Sequence, residues 1–310
     1  MLTVLQGEPP DRTAARYGIE TDDLTMATEV FLQAGHRAVH EHSGAGWRQT
    51  YVEFTDWAAA DDIAATHLLP LLLRMEKQYG GVWWFIRKYP CWRLRLSTST
   101  HGLEARVRLA EVLDGLVSSG HVRAWWPGVY EPETPAFGGA EGVAVAHRLF
   151  HADSRSILEL ASREAAPIGH RELSVLLLTV LMRAAGLEWY EQGDVWHRIA
   201  EERPLPADVP SDRLYVLSAD VRTILMADTA PDGPLFGETR TAAFASEHAD
   251  AFRVAGQALG SSARKGVLDR GLRHVIAYHA IFHWNRLGLA PRTQSVLAWA
   301  ARAAILDPSC

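Results

Sequence analysis

The chain has 310 residues, of which 48% are hydrophobic and 22% are charged, and its formal net charge is −6. It contains no run of about 18 apolar residues that would span a bilayer. The amino terminus lacks the pattern of a signal peptide, and Cys91 and Cys310 form neither a disulfide framework nor a zinc-ligand spacing. We therefore expect a soluble, cytoplasmic protein. Because no long basic block is present, we expect no nucleic-acid partner and no membrane partner.

Residue periodicity in the first half predicts alternating helices and strands. A helix is expected over Asp22 to His42, with Thr21 in its cap and Ser43-Gly44 as its stop. The next predicted elements are a strand over 47–54, a helix over 56–77 with a kink at Pro70, strands over 82–88 and 92–97, a helix over 101–118 and a strand over 122–130. This order predicts an α+β fold with a ferredoxin-like, mostly antiparallel sheet.

The second half reads as a helical bundle. Helical segments are predicted near 142–165, 170–190, 213–228, 242–262, 266–288 and 292–306. We divide the chain into an amino-terminal helix and sheet region, 1–141, and a helical region, 142–310, and expect the two regions to form one compact unit.

Two short motifs are predicted to be connections. The segment from Glu191 to Trp196 is expected to join two helices, with Gly193 in a turn and Asp194 capping the following helix. The paired glycines of Phe137-Gly138-Gly139 allow the backbone to approach a ligand or another strand closely, and turns also use such pairs.

The strongest indication of chemistry is a pair of arginines in an apolar strand. Arg93 and Arg95 are two residues apart, so both guanidinium groups project from the same face. On a rigid strand they are suited to bind an anion or to stabilise developing negative charge. Ion pairs with neighbouring carboxylates on a solvated sheet face explain the same pattern.

A second candidate is the helix that contains His279, His283, Asn285 and Arg286. The two histidines are four residues apart and share a face, which suits zinc, but no further ligand is identifiable and we expect no metal. We favour proton transfer by a histidine close to the arginine strand. A buried histidine bonded to a backbone carbonyl is the structural alternative. No phosphate-binding loop or nucleophile elbow is present, and we expect no cofactor.

Five motifs in order resemble those of the thiopeptide-type bacteriocin biosynthesis family over residues 47 to 306. This family is similar to the carboxy-terminal glutamate-elimination domain of class I lantibiotic dehydratases and to the pyridine synthases of thiopeptide assembly. The motifs are the stretch 83–95, Tyr-Glu-Pro-Glu at 130–133, Phe-Gly-Gly at 137–139, Glu-Gln-Gly-Asp-Val-Trp at 191–196 and Phe-His-Trp-Asn-Arg-Leu-Gly-Leu at 282–289.

The resemblance implies a lyase that removes glutamate from glutamylated serine or threonine of a precursor peptide, leaving dehydroalanine or dehydrobutyrine. It assigns catalysis to Arg93, Arg95 and His283. We assign substrate binding to Arg87, Arg286, Asn285 and Tyr130. The dehydratases usually carry arginines around the Gly-Gly motif, whereas this sequence has Pro132 and Ala136 there. Either Arg87 or Arg286 supplies the missing charge, or the chain runs a different reaction on the same scaffold.

Two other functions fit the same resemblance. A pyridine synthase joins two dehydroalanines by a formal aza-cycloaddition and releases the leader peptide. A non-catalytic subunit binds the leader by strand addition for a partner dehydratase. The implied partners are a precursor peptide with its leader and a glutamylating dehydratase subunit. The sequence leaves open whether the protein forms a homodimer.

Overall fold

The computed structural model describes residues 2–5, 7–42, 46–97, 102–162, 167–237 and 241–307. Ser43-Gly44 and Cys310 lie outside the described residues. The chain divides into two compact units, Met1–Trp47 and Arg48–Cys310.

The amino-terminal unit is helical. Its helices are α1 (Leu2–Leu5), α2 (Pro10–Tyr17) and α3 (Thr21–His42). Pro10 suits the first turn of α2 because that turn needs no backbone N–H from it. Helix α2 ends at Gly18, whose φ of 65° is left-handed. The predicted helix over 22–42 is confirmed as α3, which packs against α2.

The described part of the second unit contains one four-stranded sheet. Its strands are β1 (Trp47–Phe54), β2 (Val82–Lys88), β3 (Cys91–Ser97) and β4 (Val122–Gly128). The strand order is β2-β3-β1-β4, and the pairs β1/β4 and β2/β3 are antiparallel. The first and third strands therefore lie side by side in the centre. The predicted α+β class with a ferredoxin-like sheet is confirmed.

Helices cover one face of this sheet. They are α4 (Ala60–Ile63), a π-helical turn (Ala64–Leu68), α5 (Leu69–Tyr79) and α6 (Gly102–Ser118). The helix begins later than the predicted Asp56, because the Asp56 carboxylate accepts a hydrogen bond from the Ala58 N–H at 2.8 Å in a local turn. The predicted kink at Pro70 is replaced by the π-helical turn, which is wider than an α-helical turn and lies just before this proline. Alternate strand residues form the core under these helices: Val52, Phe54, Trp83, Phe85, Trp92, Leu94 and Leu96.

The helical region follows the sheet. Its helices are α7 (Gly139–Ala161), α8 (His170–Ala184), α9 (Trp189–Glu202), α10 (Ser211–Met226), α11 (Ser246–Arg264), α12 (Leu272–Leu287) and α13 (Pro291–Leu306). Helix α8 is buried along most of its length, as its leucine-rich sequence requires. No helix in the described ranges is long and apolar enough to cross a bilayer.

The predicted connection from Glu191 to Trp196 is wrong, because these residues lie inside α9. Glu188 caps that helix and forms a reciprocal capping box with Glu191. Gly193 serves close packing: a Cβ there would lie 2.6 Å from Leu306 of α13. Asp194 does not cap a helix and instead pairs with Arg198 at 2.9 Å.

Helix α7 closes the exposed edge of the sheet beside β2. His151 Nδ1 lies 2.8 Å from the carbonyl oxygen of Trp83, and Ser154 Oγ accepts a hydrogen bond from the Phe85 N–H at 3.2 Å. Side chains thus satisfy backbone groups that a neighbouring strand would otherwise bind. The edge contact fixes α7 against the sheet and positions its other side chains.

The paired glycines at 138 and 139 lie against the segment that precedes α12, which is not a strand. Both have positive φ, 82° and 92°. A Cβ at Gly139 would lie 2.2 Å from the carboxylate of Asp269, and the Asp269 N–H donates to the Gly138 carbonyl at 3.0 Å. The motif therefore joins the start of α7 to the segment that precedes α12.

Candidate active site

The sheet face opposite the α4 to α6 helices carries a buried arginine between two aromatic rings. Arg95 is 3% exposed, and its guanidinium carbon lies 4.1 Å from the ring centre of Trp84 and 4.6 Å from that of Tyr130. The Nε atom donates to Gln49 at 2.9 Å. Nη1 is buried without a hydrogen-bond partner in the described part of the chain. One donor of a buried cation is therefore left for a ligand.

Burial lowers the pKa of Arg95 to about 10, although the neighbouring Tyr130 and Glu133 oppose that shift. Arg95 is therefore still a cation at neutral pH. Burial raises the pKa of Tyr130, so its hydroxyl stays protonated.

Arg93 lies on the same face of β3 as Arg95, as the spacing predicts. It is half-buried, and its guanidinium carbon is 5.6 Å from the ring centre of Tyr51. Burial and then the positive charge of Arg93 lower the pKa of Lys88, while Glu133 opposes the change. The cluster is thus mainly cationic, with Glu133 as an acidic neighbour, and favours an anionic ligand.

A histidine that the sequence did not indicate completes this cluster. His147 of α7 is half-buried, and its Nε2 lies 2.7 Å from the Tyr130 hydroxyl. Burial, followed by the charge of Arg95, lowers the pKa of His147 to about 4. The imidazole is neutral and the phenol is protonated, so the two side chains share one hydrogen bond whose direction is set by the tautomer of His147.

A second cluster is centred on Asp153 and joins three helices. Its carboxylate accepts hydrogen bonds from His248 Nε2 of α11 at 2.8 Å, from His283 Nδ1 of α12 at 2.9 Å and from Arg286 Nε of α12 at 2.7 Å. Asp153 and Arg286 have no exposed side-chain surface. None of these residues except His283 and Arg286 was proposed from the sequence.

The electrostatics of this cluster are balanced by one ion pair. Burial favours protonation of Asp153, but the charges of His283 and Arg286 and the hydrogen bonds of His248 and His283 outweigh it and hold the pKa of Asp153 well below its usual range. Burial lowers the pKa of His283, and burial followed by the charge of Arg286 lowers the pKa of His279 to about 3. Asp153 therefore stays ionised opposite the Arg286 cation.

Asp153, His248 and His283 have potential metal-ligand atoms within 4.8 Å of one another. Their shared carboxylate also pairs with Arg286, whose fixed positive charge repels a cation. The arrangement is that of a hydrogen-bonded ion pair and does not favour a metal site.

The two clusters lie on either side of the Phe150 ring. Arg286 stacks on Phe150 at 4.2 Å, and the Phe150 ring centre is 4.7 Å from that of Trp84, which in turn covers Arg95. Within the described residues, no contact joins His283 to Arg93 or Arg95. The histidine bonded into the arginine cluster is His147.

Arg87 and Asn285, which were proposed to bind substrate, each have a partner within the protein. Arg87 lies on the opposite sheet face from Arg95, pairs with Asp61 at 2.6 Å and stacks 4.9 Å from the Trp92 ring centre. The side-chain oxygen of Asn285 accepts a hydrogen bond from Gln294 at 3.1 Å. Both contacts hold secondary-structure elements together. Arg286 retains two buried terminal nitrogens without partners among the described residues.

Open clefts lie elsewhere on the molecule. One of about 280 Å³ lies between α8, α10 and α13, and one of about 610 Å³ lies between α5 and α6. The arginine cluster is closed instead, with Tyr130 only 5% exposed over Arg95. Tyr130 belongs to the segment 129–138, which contains no helix or strand. The charge of the arginine cluster, and not the size of a cleft, marks it as the candidate site.

A ferredoxin-like sheet joined to a helical region, with the half-buried Arg93 and the buried Arg95 on one sheet face, agrees with the resemblance derived from the motifs. The chain belongs to the lantibiotic biosynthesis dehydratase C-terminal family, whose sequence model matches residues 47–305. The family is associated with dehydratase enzymes that modify ribosomally made peptides. Among curated proteins, none matches the sequence significantly.

Solved structures share the fold at low sequence identity. The tRNA-dependent lantibiotic dehydratase MibB from Microbispora sp. 107891 has a TM-score of 0.58 and 20% identity over 85% of this chain, which spans only 28% of the MibB chain. The pyridine synthase TbtD from thiomuracin biosynthesis has a TM-score of 0.60 and 13% identity, covering 84% of this chain and 98% of TbtD. TsrL has a TM-score of 0.59 and 16% identity, covering 85% of this chain and 95% of TsrL.

Proposed function

We propose that this protein is a lyase that eliminates glutamate from glutamylated serine or threonine in a ribosomally made precursor peptide. The product is dehydroalanine or dehydrobutyrine, and a partner dehydratase subunit supplies the glutamyl ester. Family membership supports peptide modification, and the cationic cluster supports an anionic substrate. The observation that carries the proposal is Arg95, a buried cation with a terminal nitrogen left unpartnered in the described structure.

Arg93 and Arg95 have two tasks in this reaction. Loss of the α proton places negative charge on the carbonyl oxygen of the reacting residue, and fixed guanidinium groups stabilise that charge. They also attract the carboxylates of the glutamyl group, which match the planar fork of an arginine. The Tyr130 ring covers Arg95, so a substrate group that reaches Arg95 also contacts Tyr130.

His283 is proposed to hydrogen-bond the departing glutamate. Its Nδ1 is held by Asp153, and its Nε2 is buried without a partner in the described residues. The terminal nitrogens of Arg286 are proposed to bind a carboxylate from the same side. Because Phe150 separates this cluster from Arg95, the substrate has to reach around that ring to contact both.

The test is to incubate the purified full chain with a leader-containing precursor peptide esterified with glutamate at serine and to follow peptide mass. Wild type should lose glutamate, while Arg95→Ala and His283→Ala should accumulate the ester. Removing one electrostatic donor at such a site costs about 100- to 1000-fold in rate. Arg106→Ala is the matched control, because this exposed arginine of α6 lies outside both clusters. An intact ester with wild type contradicts the proposal.

A pyridine synthase is the second candidate function. One observation favours it: Pro132 and Ala136 flank the Gly-Gly motif where arginines are usual in the dehydratases. In the same assay, a dehydrated peptide that splits into leader and macrocycle supports this function. No change in either peptide supports a leader-binding subunit.

A further inference from the structure

We propose that Tyr130 and His147 form the proton-transfer pair of the arginine cluster, with Tyr130 taking the α proton from the substrate and His147 accepting the proton that Tyr130 gives up. This inference rests on the proposed elimination and names the base for it. Neither the family model nor the sequence motifs assign a role to His147.

Geometry brings the two residues together from separate elements. Tyr130 lies in the irregular segment after β4, and His147 lies near the start of α7, where the edge contacts of His151 and Ser154 fix that helix against β2. The Tyr130 hydroxyl is 2.7 Å from His147 Nε2. The phenol ring is stacked on the guanidinium of Arg95.

The arrangement places a proton acceptor beside Tyr130. Burial, followed by the charge of Arg95, lowers the pKa of His147 to about 4, so the imidazole is neutral, and in the tautomer with its proton on Nδ1 the Nε2 atom accepts. The same cation stabilises negative charge on the Tyr130 oxygen during transfer and on the enolate that forms next to it. Lys88 and Arg93 add positive charge on the same face, and Glu133 is an acidic neighbour.

The reaction step is balanced without a cofactor. The Cα–H bond of the glutamylated residue breaks as a new O–H bond forms at Tyr130, whose original proton passes to His147 Nε2. The electron pair of the Cα–H bond is first held in the enolate of the reacting residue. It then forms the Cα=Cβ double bond as the Cβ–O bond breaks, and glutamate leaves as a carboxylate with the electron pair of the Cβ–O bond. His147, now an imidazolium, returns the proton to water.

His283 is less suited to this task. Its Nδ1 is engaged with Asp153, and in the described structure it has no contact with Arg93 or Arg95. His147 touches the residue that covers Arg95. We therefore separate the two histidines, with His147 serving proton removal and His283 serving the leaving group.

The experiment measures kcat and KM for glutamate loss from the esterified peptide. Tyr130→Phe keeps the ring but removes the hydroxyl, and His147→Gln keeps an acceptor but removes the basic nitrogen. General-base catalysis contributes about 100- to 10,000-fold, so both variants should lower kcat by about 100-fold or more with KM nearly unchanged. His147→Glu restores a base at the same position and should recover part of that loss.

Arg148→Gln is the matched control, since Arg148 is the next residue of α7 and its side chain is exposed. It should leave kcat unchanged. Active wild type with kcat retained in Tyr130→Phe and His147→Gln overturns the inference but not the proposed function. Equal losses in the glutamine and glutamate variants at position 147 also overturn it, because they indicate a structural role. An ester that survives wild type overturns both.

Discussion

Asp153 shows how one buried residue holds several helices together. It accepts hydrogen bonds from His248, His283 and Arg286 and so links α7 to α11 and α12. A buried ion pair is costly to form but much more costly to break on one side, because the remaining charge loses its compensation. The fixed positions of His283 and Arg286 depend on this carboxylate.

Replacing Asp153 by Asn should therefore lower the free energy of unfolding by about 3 to 5 kcal/mol, since Arg286 is left as an unpaired buried charge. Urea denaturation followed by circular dichroism measures the change. Asp208→Asn is the control, because the pair of Asp208 with Arg292 is 70% and 55% exposed and should contribute little to stability. Equal effects of the two substitutions would contradict the assigned importance of burial.

At the scale of elements, two glycines in helices serve different purposes: one allows close helix packing, and the other only lowers helix propensity. Gly256 of α11 lies against α8, where an added Cβ would be 2.3 Å from the carbonyl oxygen of Leu181. Gly115 of α6 is exposed, and an added Cβ there would meet no heavy atom within 4 Å. The same substitution thus has opposite consequences in two helices.

Gly256→Ala should destabilise the protein by about 1 to 3 kcal/mol, because α11 has to move away from α8. Gly115→Ala should stabilise it by about 0.5 to 1 kcal/mol, because alanine has the higher helix propensity. Thermal or urea unfolding of both variants measures the difference. Stabilisation by Gly256→Ala would show that the two helices are not closely packed there.

Helix α9 shows the limit of prediction from local sequence patterns. Strand alternation and turn residues predicted all four strands within two residues at either end, since those signals are local. Gly193 is typical of a turn in its local sequence, but it lies inside α9, where a side chain would collide with the distant helix α13. A glycine required by tertiary packing has no local signature.

The candidate site was predictable to the extent that it lies on one strand. The spacing of Arg93 and Arg95 gave their shared face, and the helix pattern gave the neighbouring positions of His283 and Arg286. The partner of His283 is Asp153, which is 130 residues away along the chain. Asp153 and His147 lie on the amphipathic helix α7 without a distinguishing motif. Their roles arise only from the packing of that helix.

At the scale of the whole molecule, buried neutral histidines couple stability to pH. His279 is 1% exposed between aromatic rings that include Phe137 and Phe150. Burial, together with the charge of Arg286, lowers its pKa to about 3. In the unfolded chain a histidine titrates near a pKa of about 6.5. Burial lowers the pKa of His147 and of His283 as well.

Because these folded-state pKa values are depressed, the unfolded chain binds more protons than the folded chain below a pH of about 6.5, and the free energy of unfolding must fall as pH falls. Between pH 7.5 and 5.5, His279 alone should account for about 1.4 kcal/mol of that loss. Urea denaturation at both pH values should show His279→Leu losing less stability than wild type by this amount, whereas His170→Gln, at an exposed position, should behave as wild type. An unchanged pH dependence in His279→Leu would mean that His279 is protonated, or reached by water, in the folded protein.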